Sequence, residues 1–135
     1  MLRKFPLALK SICILAFLLL AAFLITPDAA LAGGFKRTCE GIRVTGALLQ
    51  ARCARANGEK VSAQLNLSDG IANRDGRLAW SLGGGGFERT CRSIKYPVLG
   101  LLGAVCGDGR GGESSTAINI DEKISNQNGV LAFDR

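Results

Sequence analysis

Few side chains in this sequence could do chemistry, and what is missing decides as much as what is present. There is no histidine, which removes Ser-His and Cys-His catalysis, imidazole metal sites and an imidazole pH switch. Cysteines stand at 13, 39, 53, 91 and 106. No two of them form a C-x-x-C pair, so two disulfides among the last four are expected rather than a four-thiolate zinc site. That leaves no free thiolate beyond Cys13 to act as a nucleophile. Hydrolysis of a glycosidic bond would need two carboxyls flanking it. The candidates Glu40, Glu59, Asp75, Glu88, Asp108 and Asp121 do not recur as a pair in the two halves of the chain, and no enzymatic activity is expected. The run GDGRGG, 107–112, matches the dinucleotide fingerprint literally. It follows a cysteine expected in a disulfide and leads into a Ser/Thr-rich strand, so it reads as a flexible loop without cofactor. Asn66-Leu67-Ser68 fits the N-glycosylation pattern but lies in an expected strand, and chance accounts for it.

What positions these residues is a duplication. IANRDGRLAW, 71–80, returns as ISNQNGVLAF, 124–133. GGFKRTC (33–39) answers GGFERTC (85–91), LLQARC (48–53) answers LLGAVC (101–106), and VSAQLNL (61–67) answers SSTAINI (114–120). One residue of gap, between the two cysteines of each half, aligns them. Repeat one is 33–82 and repeat two 83–135, each about fifty residues. A duplicated unit most simply carries its own bridge, which pairs Cys39 with Cys53 and Cys91 with Cys106.

The signals inside each unit are for strands. Val61, Ala63, Leu65 and Leu67 alternate with polar residues, the period of a half-buried strand. Asp75-Gly76 and Asn128-Gly129 favour two-residue hairpin turns with positive φ. Ile71, Leu78, Ile124 and Leu131 would then face a core, with Trp80 and Phe133 closing the units. Stretches 46–53 and 98–106 fit either strands or short helical turns. A unit this small cannot bury its apolar face alone, so the copies must bury theirs together, directly or by exchanging strands. Gly83 to Gly86 reads as a loose linker between them.

Residues 1–32 have a basic start, an apolar run from Ser11 to Ile25 and a small-residue end at Ala30-Leu31-Ala32, the three parts of a secretory signal peptide. Cleavage after Ala32 and export, extracellular or periplasmic, are expected, with no membrane attachment afterwards. Beyond Ala32 the chain carries 14 Lys and Arg against 10 Asp and Glu. This mild, scattered positive charge is no nucleic-acid signature.

The repeat carries a resemblance. F-x-R-T-C at Phe35 to Cys39 and Phe87 to Cys91, a second cysteine fourteen or fifteen positions on, the strands around Asn66 and Asn119, and I-x-N-x-[DN]-G-x-L-x-[WF] closing each copy resemble the cyanovirin-N family of lectins across 33–135. The resemblance implies an all-β fold of two pseudo-symmetric halves, with strands of each repeat completing the other half. It also implies binding of mannose-rich glycans or glycoproteins without metal or cofactor. One site would draw on Gly34, Arg37, Thr38 and Asn126, the other on Asn73, Asp75 and Thr90. Asn73 and Asn126 equally suit a structural role in holding their turns. Glutamates that known members place before the hairpin Asn are Ala72 and Ser125 here. Polar positions after the second cysteines are Ala54 and Ala56, or Gly107 and Gly109, with Asp108 and Arg110 nearby as substitutes. Family members can exchange halves between chains. A loose linker relieves the hinge strain that drives such exchange, so a monomer is expected, with a domain-swapped dimer as the alternative. A module that kept the fold and lost the sugar site is the competing reading of function.

Overall fold

The computed structural model describes residues 33–98 and 100–135. The expected signal peptide, with Cys13, lies outside the described residues. Repeat one opens with a 3-10 turn at Phe35–Arg37, followed by β1 (Cys39–Thr45), β2 (Leu48–Ala54) and β3 (Lys60–Asn66). A second 3-10 turn, Leu67–Asp69, leads to β4 (Ile71–Arg74) and β5 (Arg77–Trp80). Repeat two runs the same course: a turn at Phe87–Arg89, β6 (Cys91–Val98), β7 (Leu101–Gly107), β8 (Glu113–Ile118), a turn at Ile120–Glu122, β9 (Ile124–Gln127) and β10 (Val130–Phe133). The first three strands of each repeat form an antiparallel sheet, and the last two a separate hairpin. The stretches that fitted either strand or helical turn are the strands β2 and β7.

Alternation sets the faces. In β2, Leu49, Ala51 and Cys53 are buried while Arg52 is exposed. In β3, Val61, Ala63 and Leu65 turn inward between exposed Lys60, Ser62, Gln64 and Asn66. The expected strand stops one residue early, because Asn66 Oδ1 accepts the Ser68 N–H at 3.0 Å and starts a 3-10 turn. Asn119 does the same to the Asp121 N–H at 3.1 Å. Such side-chain caps compete with the sheet ladder. They swing Leu67 and Ile120 fully into the core.

That core carries the repeat in its composition. The largest fully buried side chains fall into related pairs: Phe35 with Phe87, Leu49 with Leu102, Leu67 with Ile120, Ile71 with Ile124 and Cys53 with Cys106. Each large apolar member contributes about 1.5–3 kcal/mol of burial. Cys39 lies opposite Cys53 across β1 and β2, and Cys91 opposite Cys106 across β6 and β7. Both pairs are disulfide-bonded.

The hairpins are exchanged. β5 of repeat one packs on β8 of repeat two, and β10 packs on β3. The Leu78 N–H donates to Thr116 Oγ1 at 3.1 Å across that junction. Where the hairpins meet, Trp80 and Phe133 pack edge to face at a centroid distance of 6.4 Å. Phe133 also covers Gly70, where a Cβ would lie 2.5 Å from its ring.

The linker is less loose than its glycines suggest. Ser81 to Gly84 form a turn, with Gly84 N–H donating to Ser81 O at 3.3 Å. Gly85 and Gly86 then both donate to Ser68 O at 2.9 Å. A Cβ on Gly85 would meet Ile71 O at 2.0 Å, so this end of the linker is docked backbone that only glycine permits.

Candidate functional site

Each hairpin turn has the conformation its dipeptide favours. Asp75 and Gly76 have φ of 51° and 89°, Asn128 and Gly129 of 52° and 89°. These are the paired positive angles of a type I′ turn, whose twist matches that of the strands. Two residues before each turn stands an Asn that works in both directions. Asn73 Oδ1 accepts the Gly76 N–H at 2.9 Å, and Asn126 Oδ1 accepts the Gly129 N–H at 2.7 Å. Their amide groups point across to the other repeat. Asn73 Nδ2 donates to Thr90 Oγ1 at 2.9 Å and Gly107 O at 2.8 Å. Asn126 Nδ2 donates to Thr38 Oγ1 at 2.9 Å and Ala54 O at 2.8 Å.

Two equivalent junctions result. Each joins the opening loop of one repeat, the segment after its second cysteine and the hairpin of the other repeat. At the first, Thr38 and Asn126 are bonded and Gly34 lies against the Arg37 side chain; at the second, Asn73 and Thr90 are bonded and Asp108 lies beside Gly76 of the turn that Asp75 opens. Both Asn residues hold their turns in this way. Both amide protons are already donated, leaving only spare acceptor capacity on Oδ1. Thr38 and Thr90 are exposed and each accepts one bond, so each keeps a hydroxyl proton to donate.

The arginines are placed by glycine. Gly34 has φ of 84°, and a Cβ there would sit 3.6 Å from the Arg37 guanidinium. Gly86 (φ 59°) stands in the same relation to the Arg89 side chain. Gly86 and Arg89 thus repeat, at the start of the second copy, the arrangement of Gly34 and Arg37 at the start of the first. They were missed from the sequence, although the alignment of GGFKRTC with GGFERTC carried the signal.

The junctions differ where the copies have diverged. At the first, Asn128 Oδ1 accepts the Ala56 N–H at 2.9 Å and ties the hairpin tip to the loop. At the second, Asp75 is exposed, and among the described residues its carboxylate has no side-chain hydrogen bond or ion pair. The GDGRGG loop is closed on itself. Asp108 Oδ1 accepts the N–H groups of Arg110 at 2.7 Å and Gly112 at 3.0 Å. A carboxylate therefore already occupies the place a phosphate would take in a glycine-rich cradle, and the loop expected to be flexible is held by these bonds. Among the described residues no three Cys, Asp or Glu side chains converge as metal ligands.

Each junction thus brings together a threonine hydroxyl, an Asn side-chain amide and a backbone carbonyl. Donors and acceptors in that mixture suit a ligand whose neighbouring groups do both, as vicinal hydroxyls do.

A family model for the CVNH domain matches residues 35–132. Among solved structures, the chain is similar to the CVNH protein of Gibberella zeae, at 28% identity and a TM-score of 0.70, covering 76% of this chain and 99% of that one. It is similar to the N. crassa CVNH protein at 29% identity and a TM-score of 0.65, covering 76% and 99%. Microvirin, solved as a complex with mannobiose, is 30% identical with a TM-score of 0.65, covering 75% and 98%.

Proposed function

The chain belongs to the CVNH domain family, a family of lectins, and on that premise we propose that it binds mannose-rich or related glycans at its two junctions, without a metal. The observation that supports this most directly is the placing of an exposed threonine hydroxyl beside a hairpin Asn of the other repeat, once at Thr38–Asn126 and once at Thr90–Asn73. Microvirin, with mannobiose bound in its own structure, makes a mannose disaccharide the ligand to try first. Single shallow sites bind weakly, and two on one rigid body gain avidity on a multivalent glycan through effective concentration.

Export as a monomer belongs to the same proposal. It rests on the character of residues 1–32 and on two disulfides, which persist in oxidising compartments. Gly83 and Gly84, with open space around them, leave the linker room to turn back within one chain, although its end is docked on Ser68 O. A half-exchanged dimer dominating a sizing column at low concentration would overturn the monomer.

Calorimetric titration with α1,2-linked mannobiose, with and without EDTA, tests the reading. Saturable heat at up to two sites per chain, unchanged by EDTA, is expected. Its absence, with the protein folded, would favour the competing interaction module. The observation behind that module is that both Asn amides are consumed internally.

A further inference from the structure

The outer face of the β1-β2-β3 sheet carries an open depression of about 590 Å³ that neither junction uses. Its size falls within the range of small-ligand sites, about 300–1,000 Å³. The sheet bulges between Glu40 and Arg43, where Gly41 has φ of 59° and open space around its Cβ position. Around it stand Arg43, Gln50, Arg52, Ser62 and Gln64. The register makes these one patch: Arg43 lies opposite Gln50, Gln50 opposite Gln64 and Arg52 opposite Ser62. Gln50 and Arg52 are two positions apart on one strand, about 7 Å on the same face.

The patch is cationic. Arg43 Nε donates to Gln50 Oε1 at 3.2 Å, which leaves its terminal nitrogens. Among the described residues no carboxylate pairs with Arg43 or Arg52. Glu40, opposite Arg52 in register, is held chiefly by Lys60 at 2.7 Å, with the Arg52 charge a lesser influence on it.

The duplication provides an internal control. The same face of β6-β7-β8 places Lys95, Gly103, Val105, Ser115 and Ala117 at the equivalent positions. Arg92 there is tied to Glu113. The second sheet folds without the cluster, so the architecture does not require the two arginines and two glutamines of the first.

We propose that this face is a separate binding site for an anionic saccharide, a sugar carrying a carboxylate beside ring hydroxyls. Guanidinium groups take a carboxylate through paired, charge-assisted hydrogen bonds. Gln50, Gln64 and Ser62, each donor and acceptor, meet the neighbouring hydroxyls. The site is independent of the two junctions and stands or falls apart from them.

The test is a backbone-amide NMR titration of the purified protein with glucuronic acid linked to glucose. Cellobiose, sodium sulfate and a glutamate-rich peptide serve as comparisons at equal ionic strength. Saturable shifts at Gln50, Arg52, Ser62 and Gln64 with the uronate, but not with cellobiose, are expected. Gly103 and Ala117 on the equivalent face should stay silent. The exposed double substitution Arg43→Gln and Arg52→Gln should weaken binding about tenfold or more, as loss of charge-assisted bonds implies, with the rest of the spectrum unmoved. No saturable shift at millimolar uronate would overturn the proposal. So would equal saturation by sulfate or by the peptide, which would mark a general anion site or an acidic-peptide site.

Discussion

Asn73 of the first repeat donates to Thr90 of the second at 2.9 Å, and Asn126 of the second donates to Thr38 of the first at 2.9 Å. These reciprocal bonds fasten each exchanged hairpin to the half it completes, at the places where the two candidate sites lie. Fold and site therefore share residues.

Replacing either Asn should damage both. Asn73→Ala removes the Gly76 turn bond and leaves Gly107 O without its side-chain donor. Losing a partner from a half-buried group costs about 1–3 kcal/mol. Urea unfolding should report a loss of that size, with mannobiose binding weakened only at the second junction. Asn126→Ala should mirror the result at the first.

The disulfides should act on the whole molecule. Each closes a loop of 14 or 15 residues, which amounts to roughly 3 kcal/mol of constraint on the unfolded chain. Because the halves are interlocked, Cys39→Ala with Cys53→Ala should lower one cooperative transition. Two separate transitions in the same denaturant curve would show that the halves fold independently.

One position carries avoidable strain. Ser93 has φ of 53° at the β6 bulge, and the related residue in β1 is Gly41, with φ of 59°. The left-handed conformation disfavours any residue with a Cβ. Ser93→Gly should raise stability by about 0.5–1 kcal/mol, net of the greater freedom glycine has in the unfolded chain. Gly41→Ser, with open space around the new side chain, should lower it by a similar amount in the same assay.

Stability should be flat through neutral pH and fall in acid. With no histidine, no side chain has an ordinary pKa between 5 and 8. The hydrogen bond from Lys60 holds Glu40 below its ordinary 4.5, and that from Arg92 does the same for Glu113. A depressed carboxyl stabilises the fold above its unfolded pKa, and the effect is lost as pH falls through the folded value. The melting temperature should decline below about pH 4.5, and salt should shrink the part due to these exposed pairs.

Much of this was legible from residue types. The repeat register paired the cysteines, Asp-Gly and Asn-Gly placed the hairpins, and alternation through Val61, Ala63 and Leu65 gave the faces of β3. The end of that strand was misjudged at Leu67, because a cap by Asn66 outweighs the apolar period. Exchange of the hairpins was one of two ways for the copies to bury their apolar faces, and only the resemblance chose it, since period and turn type say how a strand pairs locally and not which half receives it. Gly85 looked like slack because sequence does not show that Ile71 O lies where its Cβ would be. The cationic depression stayed hidden for a similar reason: Arg43 and Gln64 are far apart in the chain and meet only through the register of three strands.

The central claim, two sugar sites at the reciprocal Asn–Thr junctions, is tested most directly by mapping backbone amides during titration with α1,2-linked mannobiose. Saturable shifts confined to two groups are expected, one around Thr38, Ala54 and Asn126, the other around Asp75, Thr90 and Gly107. Shifts at neither group with millimolar disaccharide, or saturable shifts elsewhere on the molecule, would contradict it.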